Sequence, residues 1–238
     1  MKTAAIKKPF FEFGPKVFLY GAEALRFAIE ADRLSEKYGV DIIFTAQYMD
    51  IAPIAAATKY IKVFAQHMDP VTVGRGVGAV LPEALVAAGA DGVLLNHAEK
   101  PLALDVLAAT LQRAKAVGLT TLVCAGSVEE SMAVACLAPD IILAESPALI
   151  GKGNRGPQDI AEIARINAAV QRIDNDIMIL HGAGIKDHHD VYEIIKAGAD
   201  ATGSTSGILK ADAPLDMMDK MVAAVARAWR ERKESGEK

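Results

Sequence analysis

The sequence predicts an α/β chain whose strands and helices alternate and close into one (β/α)8 barrel. Three observations predict it. Eight short apolar runs of β type alternate with longer helical runs at roughly even spacing along 238 residues. The glycine-rich fingerprint that a doubly wound open sheet often carries after its first strand is absent. No linker, low-complexity stretch or compositional break divides the chain, so a single domain over residues 1–238 is expected.

Taken in order, residues 10–13 form the first strand candidate, with a possible resumption at 17–20. Residues 22–37 place Ala24, Phe27, Ala28, Ala31 and Leu34 on one face, the period of an amphipathic helix. The second strand is 41–46, followed by a short helix at 51–58. The third is 61–65, followed by the glycine-rich stretch Gly74-Arg75-Gly76-Val77-Gly78 and a helix opened by Pro82. Strand four is 92–95 with its helix at 103–116. Strand five is 120–124, and Ser127 with Glu130 three positions on is a capping box for the next helix.

The apolar run Ile141-Ile142-Leu143-Ala144 reads as strand six and delivers Glu145 at its C-terminal end, with a helix from Pro157 to Arg172. Strand seven is 177–181 with a helix at 189–197. Strand eight is 201–204, and the last helix is 214–232. The charged tail from Arg232 to Lys238 is expected to fray.

Composition narrows the function class. Hydrophobic residues make up 52%, enough for one sizeable core, while a net charge of −4 and a pI near 5.8 argue against nucleic acid or an anionic membrane surface as partner. Cys124 and Cys136 sit in apolar sequence surroundings without metal-ligand spacing, which favours a reducing compartment. The basic start MKTAAIKK leads into no apolar run of signal-peptide or bilayer length, so a cytoplasmic protein is expected.

Sites in such barrels are built at the C-terminal strand ends. Those positions hold Lys16, then Asn96-His97-Ala98-Glu99, then Glu145, then Gly182-Ala183-Gly184-Ile185 and Gly203-Ser204-Thr205-Ser206-Gly207. The last two are turns whose backbone N–H groups suit a phosphate. After Glu145 comes Ser146-Pro147-Ala148-Leu149-Ile150-Gly151-Lys152-Gly153, stiff at its start and supple at its end, which reads as a lid over residues 146–156. A carboxylate base, an imidazole and an ammonium form a proton-transfer set for a carbonyl next to a hydroxyl. Singly each has a structural reading: His97 as a hydrogen-bonded strand-end histidine, Lys16 as a solvated loop lysine, Glu99 as a helix-opening carboxylate.

The segments AQHMDP (65–70), GAVLPEAL (78–85), LLNHAE (94–99), the Glu145 loop with LIGKG, GAGI (182–185) and SGILKADAP (206–214) resemble the triosephosphate isomerase family, in its short archaeal form, over nearly the whole chain. The resemblance implies a TIM barrel and an isomerase of phosphorylated sugars serving glycolysis and gluconeogenesis. It implies Glu145 as general base, His97 as electrophile and Lys16 as the stabiliser of negative charge. Glu99 matches the carboxylate that follows the histidine. Ile150, Gly151, Gly184, Thr205 and Ser206 fall in the family's phosphate grip, and Gly14 at a substrate-contacting position. No metal or organic cofactor is implied, because the substrate's own carbonyl is the electron sink. A homo-oligomer is implied, a tetramer ahead of a dimer.

The departures concern the sugar-facing wall. Where the family has Asn-x-Lys, this chain has Gly14-Pro15-Lys16. Val77 stands for an interface threonine, and Ala98 for the serine after the histidine. The expected substrate is therefore glyceraldehyde 3-phosphate with dihydroxyacetone phosphate, or a larger ketose phosphate such as a tetrulose phosphate. The alternatives are a non-catalytic sugar-phosphate sensor on the same barrel and, more remotely, a Schiff-base aldolase. Pro15 also leaves the register of strand one open, since it removes a ladder donor.

Overall fold

A computed structural model describes residues 5–147, 149–150 and 157–236. Its eight strands are β1 (Phe10–Phe13), β2 (Asp41–Ala46), β3 (Lys62–Ala65), β4 (Gly92–Leu95), β5 (Thr120–Ala125), β6 (Ile141–Ala144), β7 (Met178–His181) and β8 (Ala201–Gly203). All pair in parallel in sequence order, and β8 returns to β1 through Phe10↔Ala201 and Glu12↔Gly203, so the barrel is closed. Around it run α1 (Gly21–Tyr38), α2 (Tyr48–Ala57), α3 (Pro82–Ala87), α4 (Leu104–Val117), α5 (Val128–Ala135), α6 (Pro157–Gln171), α7 (His188–Lys196), the short α8 (Ser206–Leu209) and α9 (Pro214–Glu234).

The period of two along each strand sorts side chains into two cores. Phe10, Ile43, Phe64, Leu122, Ile141, Leu143 and Leu180 pack inside the barrel. Phe11, Phe13, Ile42, Phe44 and Val63 face outward into a larger layer shared with the helices. Phe64 fills the barrel centre so closely that a Cβ on Gly92 would lie 2.4 Å from its ring. Packing of this kind holds the strand ends, and with them the loops, in fixed relative positions.

Several expectations need correction. Residues 17–20 form no resumed strand: 15–18 make a turn, with the Phe18 N–H donating to the Pro15 carbonyl at 3.0 Å. Since β1 ends at Phe13, Pro15 withholds no ladder donor, and Phe10↔Asp41 to Phe13↔Phe44 settles the register. Helix α2 begins at Tyr48 rather than at residue 51. The Ser127 cap accepts from the Glu130 N–H as expected, but Glu130 reaches back to the N–H of Gly126 instead of completing the box on Ser127. Cys136 is exposed, whereas Cys124 is buried. The tail does not fray at Arg232: its guanidinium is buried and donates to the carbonyls of Ile195 and Ala199, both at 2.8 Å, and α9 runs on to Glu234.

Candidate active site

After β1, β4 and β7 the chain leaves the barrel by an unusual backbone step. Lys16 and Asn96 adopt φ of 52° and 57°, and Ala183 adopts 61°, a region that costs L residues energy and persists only where surroundings enforce it. At Lys16 the enforcement comes from Gln66, whose amide donates to the Lys16 carbonyl at 2.8 Å. Asn96 is pinned from both sides: its amide donates to the Cys124 carbonyl at 3.0 Å and its oxygen accepts from the Leu102 N–H at 2.9 Å. These bonds fix the backbone from which Lys16 and His97 project into one pocket.

His97 Nδ1 accepts the N–H of Glu99 at 3.1 Å. A ring nitrogen that accepts carries no proton, so this contact describes a neutral imidazole with its hydrogen on Nε2. That Nε2 lies 3.4 Å from Glu145 Oε2, both side chains being largely withdrawn from solvent. The Lys16 ammonium pairs with Glu99 at 2.6 Å, and this bond holds the Glu99 carboxyl below the usual carboxylate range against a smaller opposing effect of burial. Glu99 is the exposed partner of that pair, at 62% of its side chain.

Two connected lobes open between these groups, of about 220 and 230 Å³. Glu12, Lys16, Glu99, Leu143, Glu145 and Thr205 line both. The first lobe is closed by Ile150, Gly184, Thr205 and Ser206, the four described positions of the expected phosphate grip. Its loops are locked together: Thr205 donates to the Gly14 carbonyl at 2.6 Å, and Ser204 bridges the Ile185 carbonyl and the Gly207 N–H at 3.0 and 3.1 Å. The second lobe holds His97 with Gly14, Thr45, Tyr48, Gln66 and His67. Val77 projects to solvent and Ala98 is exposed, and neither lines either lobe in the single chain.

Of the expected lid, Gly151, Lys152 and Gly153 lie outside the described residues, as does Ala148. At its start Pro147 packs on Gly126, where a Cβ would come within 3.0 Å of the proline ring. The apolar pair divides its work: Ile150 faces the first lobe, while Leu149 faces a cleft with Ile163 and Ile166 of α6.

One functional candidate was missed in the sequence. Glu12 points inward from β1, accepts from the Thr45 hydroxyl at 2.7 Å and lines both lobes. Burial, with a further push from the charge of Glu145, raises its carboxyl to about 7, against the opposing pulls of Thr45, His97 and Lys16. The signal was present, since a lone charged residue in FFEF shares the inward face with Phe10. Cys124 is pushed well above the usual thiol range, first by burial and then by Glu145 and Glu12, which suits a packing residue rather than a nucleophile. Among the described residues no group of three or more His, Cys, Asp or Glu is placed to hold a metal ion.

A closed barrel with a carboxylate, a neutral imidazole and an ammonium gathered over a two-lobed pocket is the set of groups that an enzyme of the proton-transfer class needs. Comparison narrows the class to a family. The triosephosphate isomerase family model matches residues 16–221. The triosephosphate isomerase of Sulfolobus acidocaldarius is 36% identical over 217 residues, covering 90% of this chain and 93% of that protein. Those of Methanobacterium bryantii and Methanocaldococcus jannaschii are each 36% identical, over 84% and 80% of this chain and 91% and 87% of theirs. The chain belongs to the triosephosphate isomerase family and is an isomerase.

Proposed function

We propose that this chain works as one barrel domain that interconverts an aldose phosphate and its ketose phosphate by proton transfer through a cis-enediol(ate). The observation that carries this reading is the approach of His97 Nε2 to Glu145 Oε2, 3.4 Å, at a pocket whose far lobe carries the phosphate turns. Glu145 takes the proton from the carbon beside the carbonyl and returns it to the neighbouring carbon. His97, its hydrogen on Nε2, donates to the carbonyl oxygen and exchanges protons between the two oxygens. Lys16 lies where negative charge develops. This division of labour, a glutamate base beside a neutral histidine under a closing loop, is the known mechanism of triosephosphate isomerase itself.

The phosphate sits against Ile150, Gly184, Thr205 and Ser206; the resemblance adds Gly151, which lies outside the described residues. The first substrates to test are glyceraldehyde 3-phosphate and dihydroxyacetone phosphate, after the names of the relatives. A second substrate, one carbon longer, is favoured by a specific observation: the second lobe extends past His97 to Gly14, Thr45 and Gln66.

We place the enzyme in the cytoplasm. Among the described residues, no helix is long and apolar enough to cross a membrane. The apolar residues Val17, Phe18, Val73 and Val77 on connections, and Met49 in the first turn of α2, stand exposed, which supports a homo-oligomer; the resemblance puts a tetramer ahead of a dimer.

The test is a coupled assay on glyceraldehyde 3-phosphate beside tetrose and pentose phosphates, repeated with Glu145→Gln. The parent is expected to turn over at least one of them. The variant should lose about a thousandfold in kcat while still binding sugar phosphates. A variant as fast as the parent refutes the base assignment. A parent that isomerises nothing in the panel but binds sugar phosphates turns the reading to a sensor.

A further inference from the structure

Glu12 takes no part in the roles assigned above, yet the structure makes room for it. Its strand precedes the span that the family model matches. A carboxyl in a barrel interior is costly unless it is bonded, and Thr45 supplies one bond, at Oε1. Gly14 supplies the space: a Cβ there would stand 2.5 Å from Glu12 Oε1. The position that has lost a side chain thus borders the position that carries an unexpected acid. Across the seam Gly203 permits the approach of β8, since a Cβ there would meet the Glu12 carbonyl at 2.3 Å. The carboxyl stands where the two lobes meet, and Glu145, His97 and Lys16 all lie near enough to act on its charge.

Resting on the isomerase reading, we propose that Glu12 is a specificity-determining residue: its carboxyl hydrogen-bonds a hydroxyl on the substrate's carbon chain beyond the length of a triose phosphate, in the second lobe, which Glu12 and Gly14 both line. A hydroxyl both donates and accepts, and a carboxyl with its proton does the same. With the carboxyl raised to about 7, Glu12 does not set a second full negative charge beside Glu145 below that pH. The ligand class is therefore a polyhydroxylated phosphate of four or more carbons, and the triose phosphate lacks the group that Glu12 reads.

The experiment uses ligands that cannot react, so that it stands whether or not turnover is found. Glycerol 3-phosphate and erythritol 4-phosphate, the latter as both enantiomers, differ by one hydroxymethylene group and are titrated calorimetrically into the parent, Glu12→Ala, Glu12→Gln and Gly14→Ala. The parent should bind one erythritol 4-phosphate enantiomer about tenfold or more tightly than glycerol 3-phosphate. Glu12→Ala should erase that preference while leaving glycerol 3-phosphate within about threefold of the parent. Glu12→Gln should keep most of the preference. Gly14→Ala, which displaces the carboxyl without removing it, should weaken the preference and covers the case of a Glu12→Ala protein that does not fold. A parent with no preference, or variants that lose both ligands equally, overturns the proposal. A parent with the preference but no turnover leaves Glu12 as a ligand-reading residue and refutes only the isomerase reading.

Discussion

Glu12→Gln should alter how stability depends on pH, and the size of the effect follows from the fold. The ordinary value for this carboxyl is 4.5, and burial in the barrel raises it to about 7. The sign is that of a raised acid. Between those values the folded chain holds a proton that the unfolded chain has released, so unfolding becomes easier as pH rises. The stabilising contribution is complete below about 4.5 and gone above about 7. From about pH 5 to about pH 8 this amounts to roughly 2.5 kcal/mol, taking about 1.4 kcal/mol for each tenfold change in proton activity. The pocket-facing edge of the carboxyl makes that figure a ceiling. Glutamine keeps the shape and an oxygen for Thr45 but cannot ionise, and every other titrating group is common to both proteins. Urea unfolding of both, at one protein concentration, across that range is the assay. The variant should gain on the parent by up to the stated amount as pH rises. Stability curves that run parallel would refute the burial argument, and would mean that Glu12 is as well solvated folded as unfolded.

Other changes test other parts of the molecule. Arg232→Met strands the carbonyls of Ile195 and Ala199 at the end of α7 and should cost about 3 kcal/mol, a fall in Tm of roughly 10 °C, with kcat/KM of the folded protein unchanged. Gly207→Ala puts a Cβ 2.6 Å from the Ile185 carbonyl and 2.9 Å from that of Lys186, forcing the two phosphate turns apart. Its KM for a sugar phosphate should rise about tenfold, with a smaller change in kcat, and an unchanged KM would show that those turns do not hold the phosphate.

The sequence by itself determined the architecture. Alternation of apolar runs places strand ends within a residue or two, because a buried parallel strand needs apolar side chains on both faces and a helix needs a stripe. It also picked out Lys16, His97 and Glu145, since these residue types at strand ends are read locally, and the three line one lobe of the pocket. The Lys16–Glu99 pair spans 83 positions and was legible only as two separate candidates. What tertiary structure decided were the matters that depend on neighbours from other strands. The charged end of the chain looked solvated until α9 laid Arg232 against the carbonyls that close α7. The loss of a side chain at Gly14 looked like empty volume until the structure set the Glu12 carboxyl in it. A carboxyl's protonation, like a cavity's shape, is set by what surrounds it in space, and Thr45, His97 and Glu145 reach Glu12 from distances along the chain that no local pattern records.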